Sequence, residues 1–188
     1  VIDNNRKILG FGVAPTQLGI GTSVRYKNWN ASLLIEGKNG GQIMSGSNGE
    51  MLGRGLHKMT VPAGGRESGF VPDGVMEDGS AISASLNTAQ QQNYWNKYND
   101  AAEASIYDAD YMRLRNLSIG YSLPSSMLEG SSIQSATISL IGKNLFFLSN
   151  SVDNIDPESA YNSNNSQGLE YWGMPVPRTV GVNVNLKF

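Results

Sequence analysis

Val180-Gly181-Val182-Asn183-Val184-Asn185-Leu186-Lys187-Phe188 alternates without a break: every even position is apolar, and Gly, Asn, Asn and Lys stand between. A period of two belongs to a strand whose successive side chains leave on opposite faces, so one face is apolar and the other polar. Two structures accommodate such a strand. In a soluble β-sandwich the apolar face packs on a second sheet. In a transmembrane barrel it meets lipid, and the polar face lines the lumen. The run closes on Phe188, an aromatic of the kind found at membrane–water boundaries.

The same alternation recurs upstream. Leu18, Ile20, Val24 and Tyr26 share one parity, and Gln17, Ser23, Arg25 and Lys27 the other. Asn28-Trp29-Asn30 makes a short turn, after which Ala31, Leu33 and Ile35 continue the pattern as the second arm of a hairpin. Leu117, Ile119, Tyr121 and Leu123 oppose Asn116, Ser118, Gly120 and Ser122 until Pro124 ends the run. Ala136, Ile138 and Leu140 oppose Thr137 and Ser139, with Ile141 breaking the rule. Strands are therefore expected at about 17–27, 30–38, 110–123, 134–147 and 178–188. Two long connections, about 39–109 and 149–177, alternate with the short turns. Within the first, Leu86 to Tyr98 lacks Gly and Pro and reads as a short helix.

Short and long connections in alternation are the pattern of a membrane barrel, with short periplasmic turns and long outer loops. The expected fold class is all-β: an antiparallel transmembrane β-barrel segment with two extracellular loops. With a periplasmic C-terminus, Tyr26, Trp29, Tyr121 and Phe188 fall at one membrane boundary as an aromatic girdle. Five strands cannot close a barrel, since membrane barrels begin at about eight, so further strands must come from outside this stretch. The chain opens Val1-Ile2-Asp3-Asn4-Asn5-Arg6, with neither an initiator Met nor a signal peptide, and is expected to be the C-terminal part of a longer protein. The competing expectation is a soluble or surface β-sandwich that binds glycan through Trp95 and Trp172.

Composition narrows the chemistry. With no Cys, the chain offers neither disulfides nor thiolate chemistry. One His, His57, excludes a multi-histidine metal centre built from this chain alone. A net charge of -2 argues against nucleic acid as a partner. The mean hydropathy of -0.29 is compatible with barrel strands, whose alternation keeps it low.

No catalytic constellation stands out, and no enzyme is expected. Asp73, Glu77 and Asp78, and again Asp153, Asp156 and Glu158, are loop carboxylates of the type that hold calcium. Their spacing fits no calcium loop, and solvated turn residues are the expectation, as is a surface position for His57. Asp3 is the remnant of a further such group. No cofactor is expected. Tyr94, Trp95, Tyr171 and Trp172 lie in the two long loops, where rings offer apolar area with a polar handle to a sugar, a peptide or a partner protein, or fold the loops together. Arg113 and Arg115 share the parity of Leu117. Unbroken alternation sends them outward to lipid head groups, and a bulge swings them to the polar face.

Tyr111-Met112-Arg113-Leu114-Arg115-Asn116-Leu117-Ser118-Ile119-Gly120-Tyr121-Ser122-Leu123-Pro124 resembles the RLRN-x-x-x-GY-x-LP stretch of SusC/RagA-type TonB-dependent transporters. Gly142-Lys143-Asn144-Leu145-Phe146 is similar to their G-x-N-L-F strand, and Tyr26 to Leu33 to their YK-x-(F/W)-(D/N)-x-S hairpin. Tyr94-Trp95, Pro177-Arg178-Thr179 and the closing strand match in the same order, and Val1 to Arg6 resembles the tail of a DG-x-ID-x-x-D-R segment. The resemblance implies the C-terminal part of a barrel of about 22 strands around a plug, the plug being absent from this chain. It implies a Bacteroidota-type outer membrane, import of oligosaccharides or peptides, a SusD-like lipoprotein lid, energy from the TonB complex, and contact with outer-membrane lipid.

Overall fold

The computed structural model describes residues 5–76, 78–159, 164 and 167–188. Along them run β1 (Thr16–Tyr26), β2 (Trp29–Asn39), β3 (Gln42–Ser45), α1 (Gly46–Gly53), α2 (Thr88–Asn99), β4 (Ile106–Asp108), β5 (Tyr111–Ser122), β6 (Ser135–Asn150), β7 (Leu169–Glu170) and β8 (Thr179–Lys187), with short 3-10 turns between. They divide into two compact units.

The strand unit takes Phe11–Gln42, Asp108–Ser159 and Met174–Phe188. It is one antiparallel sheet in the order β1-β2-β5-β6-β8, so each strand lies beside its predecessor once the long excursions are passed over. Cross-strand register carries the alternation across the sheet. Tyr26, Trp29, Tyr121, Ile138 and Val184 form one row, and Val24, Ala31, Ile119, Leu140 and Val182 the next on the same face. Between them lies the row Arg25, Asn30, Gly120, Ser139 and Asn183 of the opposite face. The Trp29 and Tyr121 rings touch at 4.9 Å between centroids.

The apolar face is uncovered. Val180, Val182, Val184 and Leu186 are 64%, 69%, 56% and 45% exposed, and Leu18, Ile20, Val24 and Leu140 are likewise open. Fully burying one such side chain is worth roughly 1.5–3 kcal/mol, so the four on β8, each about half to two-thirds exposed, forgo about 3.5–7 kcal/mol. That rivals the roughly 5–15 kcal/mol stability of a whole domain. A sandwich would lay a second sheet on this face, and none of the described residues covers it. The outer strands β1 and β8 are exposed along their full length, and the sheet is open at both edges within this chain.

The register along β5 shifts at two places, between Met112 and Arg113 against β6 and around Arg115 against both neighbours. Against β2, Leu34 pairs with Asn116 and Ile35 with Leu114, which leaves Arg115 as an extra residue. The β6 side also shifts between Leu114 and Asn116, where Asn144 adopts a φ of 51°. An extra residue exchanges the faces of everything beyond it. Leu114 therefore stays beside Ile35 on the apolar side, and Arg113 stands opposite Glu36 on the polar side. Of the two expectations for these arginines, the bulge is the one realised.

The second unit is built on Ile43–Tyr107 with the described part of Ala160–Gly173. The first stretch expected as a long loop with little periodicity thus carries β3, β4 and two helices, and β7 from the second long connection joins them in a small sheet, β4-β3-β7. Helix α2 opens with a capping box: Asn87 accepts from the Gln90 backbone N–H at 3.0 Å, and the Asn87 N–H donates to the Gln90 side chain at 2.9 Å. Helix α1 starts at Ser45, whose Oγ accepts from the Asn48 N–H at 3.0 Å. Its glycines let α2 approach closely: a Cβ at Gly49 or Gly53 would lie 2.5 Å from the amide oxygen of Asn99 or Asn96. The buried centre of this unit holds Ile43, Leu52, Trp95, His57 and Glu170. His57, expected at the surface, is buried because it caps a 3-10 turn, its Nδ1 accepting from the Met59 N–H at 3.2 Å.

Candidate functional site

In the strand unit the polar face gathers charge where β5 and β6 pass the bulge. Arg113 donates to Asp156 at 2.6 Å and Glu158 at 2.7 Å. Its guanidinium also lies over the Phe147 ring, 3.9 Å from the centroid. Arg115 donates to Glu158 at 2.7 Å, to Glu36 at 2.6 Å and to the Asn144 side-chain oxygen at 2.7 Å. The Tyr111 hydroxyl donates to Glu158 at 2.7 Å. Asp156 accepts the Val176 and Glu158 backbone N–H groups, both at 3.0 Å. Asp156 and Glu158 are therefore not the solvated turn residues expected from spacing, because each closes an ion pair to an arginine that the bulge has turned towards it. Burial works to raise the Glu158 pKa, yet the hydrogen bonds from Arg115 and Tyr111 and the two guanidinium charges outweigh it and hold the carboxyl below its ordinary range.

This network fastens the segments around residues 156–159 and 176–178 to the strands. Arg113 and Asp156 are almost fully buried, and a buried pair survives only when its remaining hydrogen-bonding capacity is also satisfied, as it is here. The arrangement holds neither a nucleophile with its base nor a spaced pair of free carboxylates. Among the described residues, no group of three or more His, Cys, Asp or Glu side chains is placed to hold a metal ion. Asp78, from the first acidic group, is an exposed turn residue bonded to the Ser80 hydroxyl at 2.6 Å, and those bonds lower its pKa. Asp3 and Glu77 lie outside the described residues.

In the second unit the predicted aromatics fall into two places. Tyr94 and Trp95, both on α2, pack with Phe70 and Tyr98 at centroid distances of 5.0 to 6.2 Å. Trp95 is 6% exposed, so its ring serves to hold α2 in place and is not presented for contact. Tyr171 and Trp172 follow Glu170, a buried carboxylate at the start of α1. Glu170 accepts the Ser45 hydroxyl at 2.7 Å, the Ser47 hydroxyl at 2.6 Å and the Gly173 N–H at 3.1 Å. A negative charge at a helix N-terminus is favourably placed. The Trp172 N–H donates to Ser47 Oγ at 3.0 Å, its backbone sits at a φ of 55°, and its ring stands 67% exposed. An ordered turn thus presents a bare indole. The fixing residues, Ser45, Ser47 and Glu170, were missed from sequence because they lie far apart in the chain.

Of the aromatics expected at a membrane boundary, Tyr26, Trp29 and Tyr121 share one row of the sheet, and Phe188 lies past Val184, the β8 member of that row. No helix among the described residues is long and apolar enough to cross a membrane, which leaves crossing by strands untouched.

An open antiparallel sheet with a bare apolar face, a charged opposite face and long excursions at one end has the form of a barrel-wall segment. The comparisons agree. TonB-dependent receptor P3 of Formosa agariphila is 27% identical over 203 residues, covering 98% of this chain and 17% of that protein. The RagAB peptide transporter structure superposes with a TM-score of 0.61 at 16% identity, over 95% of this chain and 18% of that one. The RagAB peptide importer in its open-open state gives 0.61 at 18% identity, over 94% and 17%. No family model matches the chain. The resemblance to SusC/RagA-type TonB-dependent transporters is thereby shown along nearly the whole chain, which spans about a sixth of these relatives' length. By name the relatives are a receptor and a transporter, not enzymes.

Proposed function

We propose that this chain forms the C-terminal wall and outer loops of an outer-membrane TonB-dependent importer of peptides or oligosaccharides. The remaining strands and a plug complete the barrel, a SusD-like lipoprotein covers its outer mouth, and the TonB complex drives it. The C-terminus lies in the periplasm, and Tyr26, Trp29, Tyr121 and Phe188 mark that boundary. The observation that carries this reading is the apolar face, exposed on all five strands and opposed by a polar face with its own buried ion-pair network. Lipid supplies the missing cover on one side and a wet lumen suits the other. In the outer loops, Trp172 and Tyr171 are the rings offered to substrate or lid, and Tyr94 and Trp95 shape the unit that carries them.

Membrane fractionation of cells carrying the whole gene, followed by uptake of labelled peptide and labelled oligosaccharide, tests the reading. The protein is expected in the outer-membrane fraction, with its deletion abolishing uptake of one of the two substrate classes. A soluble, folded full-length product overturns it.

A further inference from the structure

Charge on the sheet is nearly all of one sign. Glu36 is the one carboxylate on β1, β2, β5, β6 and β8, against six cations: Arg113 and Arg115 of the network, and Arg25, Lys38, Lys143 and Lys187. Register and the bulge put all of them on the polar face. Asp156 and Glu158 reach this face from the connection after β6, and with Glu36 they are taken up by Arg113 and Arg115. Six cations thus meet three carboxylates, an excess of three on one face of a chain whose net charge is -2. Among the described residues, no carboxylate pairs with Lys38, Lys143, Arg25 or Lys187. Lys38 is half-buried and the other three are exposed.

These four cations are spaced down the face. Lys38 lies four residues along β2 from Leu34, whose row contains Lys143, and Leu34 lies four from Asn30, whose row contains Arg25. Asn183 belongs to that last row, and Lys187 follows it by four. Each step is about 13 Å along a strand. Ser23, Ser32, Ser118 and Ser139 stand in the rows between or beside them, polar and uncharged. On an open surface such cations are solvated and screened. On a lumen wall backed by low-dielectric protein and lipid, they focus their field on the opening and concentrate anions there. A neutral sugar or an uncharged peptide is indifferent to that field, and a carboxylate is drawn by it.

We propose that this face selects substrates that carry carboxylates, whether on acidic peptide side chains or on the uronic acids of an oligosaccharide. The inference rests on the barrel reading given above and sharpens its substrate.

The test is fluorescence anisotropy on the full-length, detergent-purified protein with neutrally labelled probes: penta-glutamate against penta-glutamine, oligogalacturonate against its uncharged methyl ester, and penta-lysine. At least one anionic probe is expected to bind about tenfold more tightly than its neutral counterpart at low salt, and which of the two does so identifies the source of the carboxylate. Raising salt to about 0.5 M is expected to erase that preference. The double variant Lys38→Gln/Lys143→Gln is expected to weaken the preferred anionic probe about tenfold, about threefold for each exposed charge, and to leave the neutral probe unchanged. Lys27→Gln, which removes a cation lying 5.5 Å from the Tyr26 ring of the opposite face, is expected to change neither. Equal affinity for anionic and neutral probes, tighter binding of penta-lysine, or a preference indifferent to salt would overturn the proposal. So would an equal loss of anionic and neutral binding in the double variant, which would assign these cations to assembly of the barrel. The probe and salt comparisons use the wild type alone, so they decide even where the double variant fails to insert. Recovery of the wild type in the soluble fraction would instead sink the barrel reading itself.

Discussion

At the scale of single residues, the loop carboxylates show what spacing hides. Asp156 and Glu158 look in sequence like any acidic turn, and their partners Arg113 and Arg115 lie more than forty positions upstream. Nothing local announces the pairing. Replacing Arg113 by Met would strand Asp156 as a buried charge, a loss of about 3–5 kcal/mol. Thermal unfolding of the full-length variant in detergent should show it, and an unchanged transition would mean the pair is solvated. Glu158 gives a second handle. Its folded pKa is depressed, so its contribution to stability is full above the ordinary value of 4.5 and drains as pH falls below that towards the folded value. Protease cleavage around residues 151–159 should therefore rise on acidification below about pH 4.5. Glu158→Gln should be cut readily at neutral pH and lose most of that acid dependence. Wild-type cleavage that stays flat down to pH 3 would contradict the assignment.

At the scale of elements, the strands were legible and the bulge was not. Leu117, Ile119 and Tyr121 declare their face by parity alone. An extra residue shows only when the partner strands are laid alongside, so parity sends Arg113 to the wrong face while register against Glu36 sends it to the right one. Deleting Arg115 removes the extra residue and leaves Arg113 opposite Glu36, whereas deleting Leu114 brings an arginine, Arg113 or Arg115, opposite Ile35 on the apolar face. The account predicts that the Leu114 deletion abolishes the heat-modifiable folded band of the full-length protein on gels, whereas the Arg115 deletion, which keeps every face, retains it. Equal folding of both would deny the register its role. The second unit was half legible for a related reason. Asn87 and Gln90 announce α2 through local capping chemistry. Helix α1 carries glycines at its packing positions and draws its N-terminal support from Glu170, so neither propensity nor periodicity marks it.

At the scale of the whole molecule, everything turns on what covers the apolar face. The sheet alone offers five strands of bare Val, Leu, Ile and aromatic side chains, a surface that water does not tolerate at this extent. This chain contains no Cys, so a cysteine introduced into it is unique within it, and any cysteine elsewhere in the full-length protein is first replaced by Ser. The most direct measurement is a spin-label scan of β8, positions 180 to 187, in the full-length protein reconstituted into lipid, reading accessibility to oxygen and to a water-soluble nickel chelate. The account predicts a period of two: labels at Val180, Val182, Val184 and Leu186 favour oxygen, and those at Gly181, Asn183 and Asn185 favour the chelate. Uniform access to the chelate, or the absence of alternation, would contradict it.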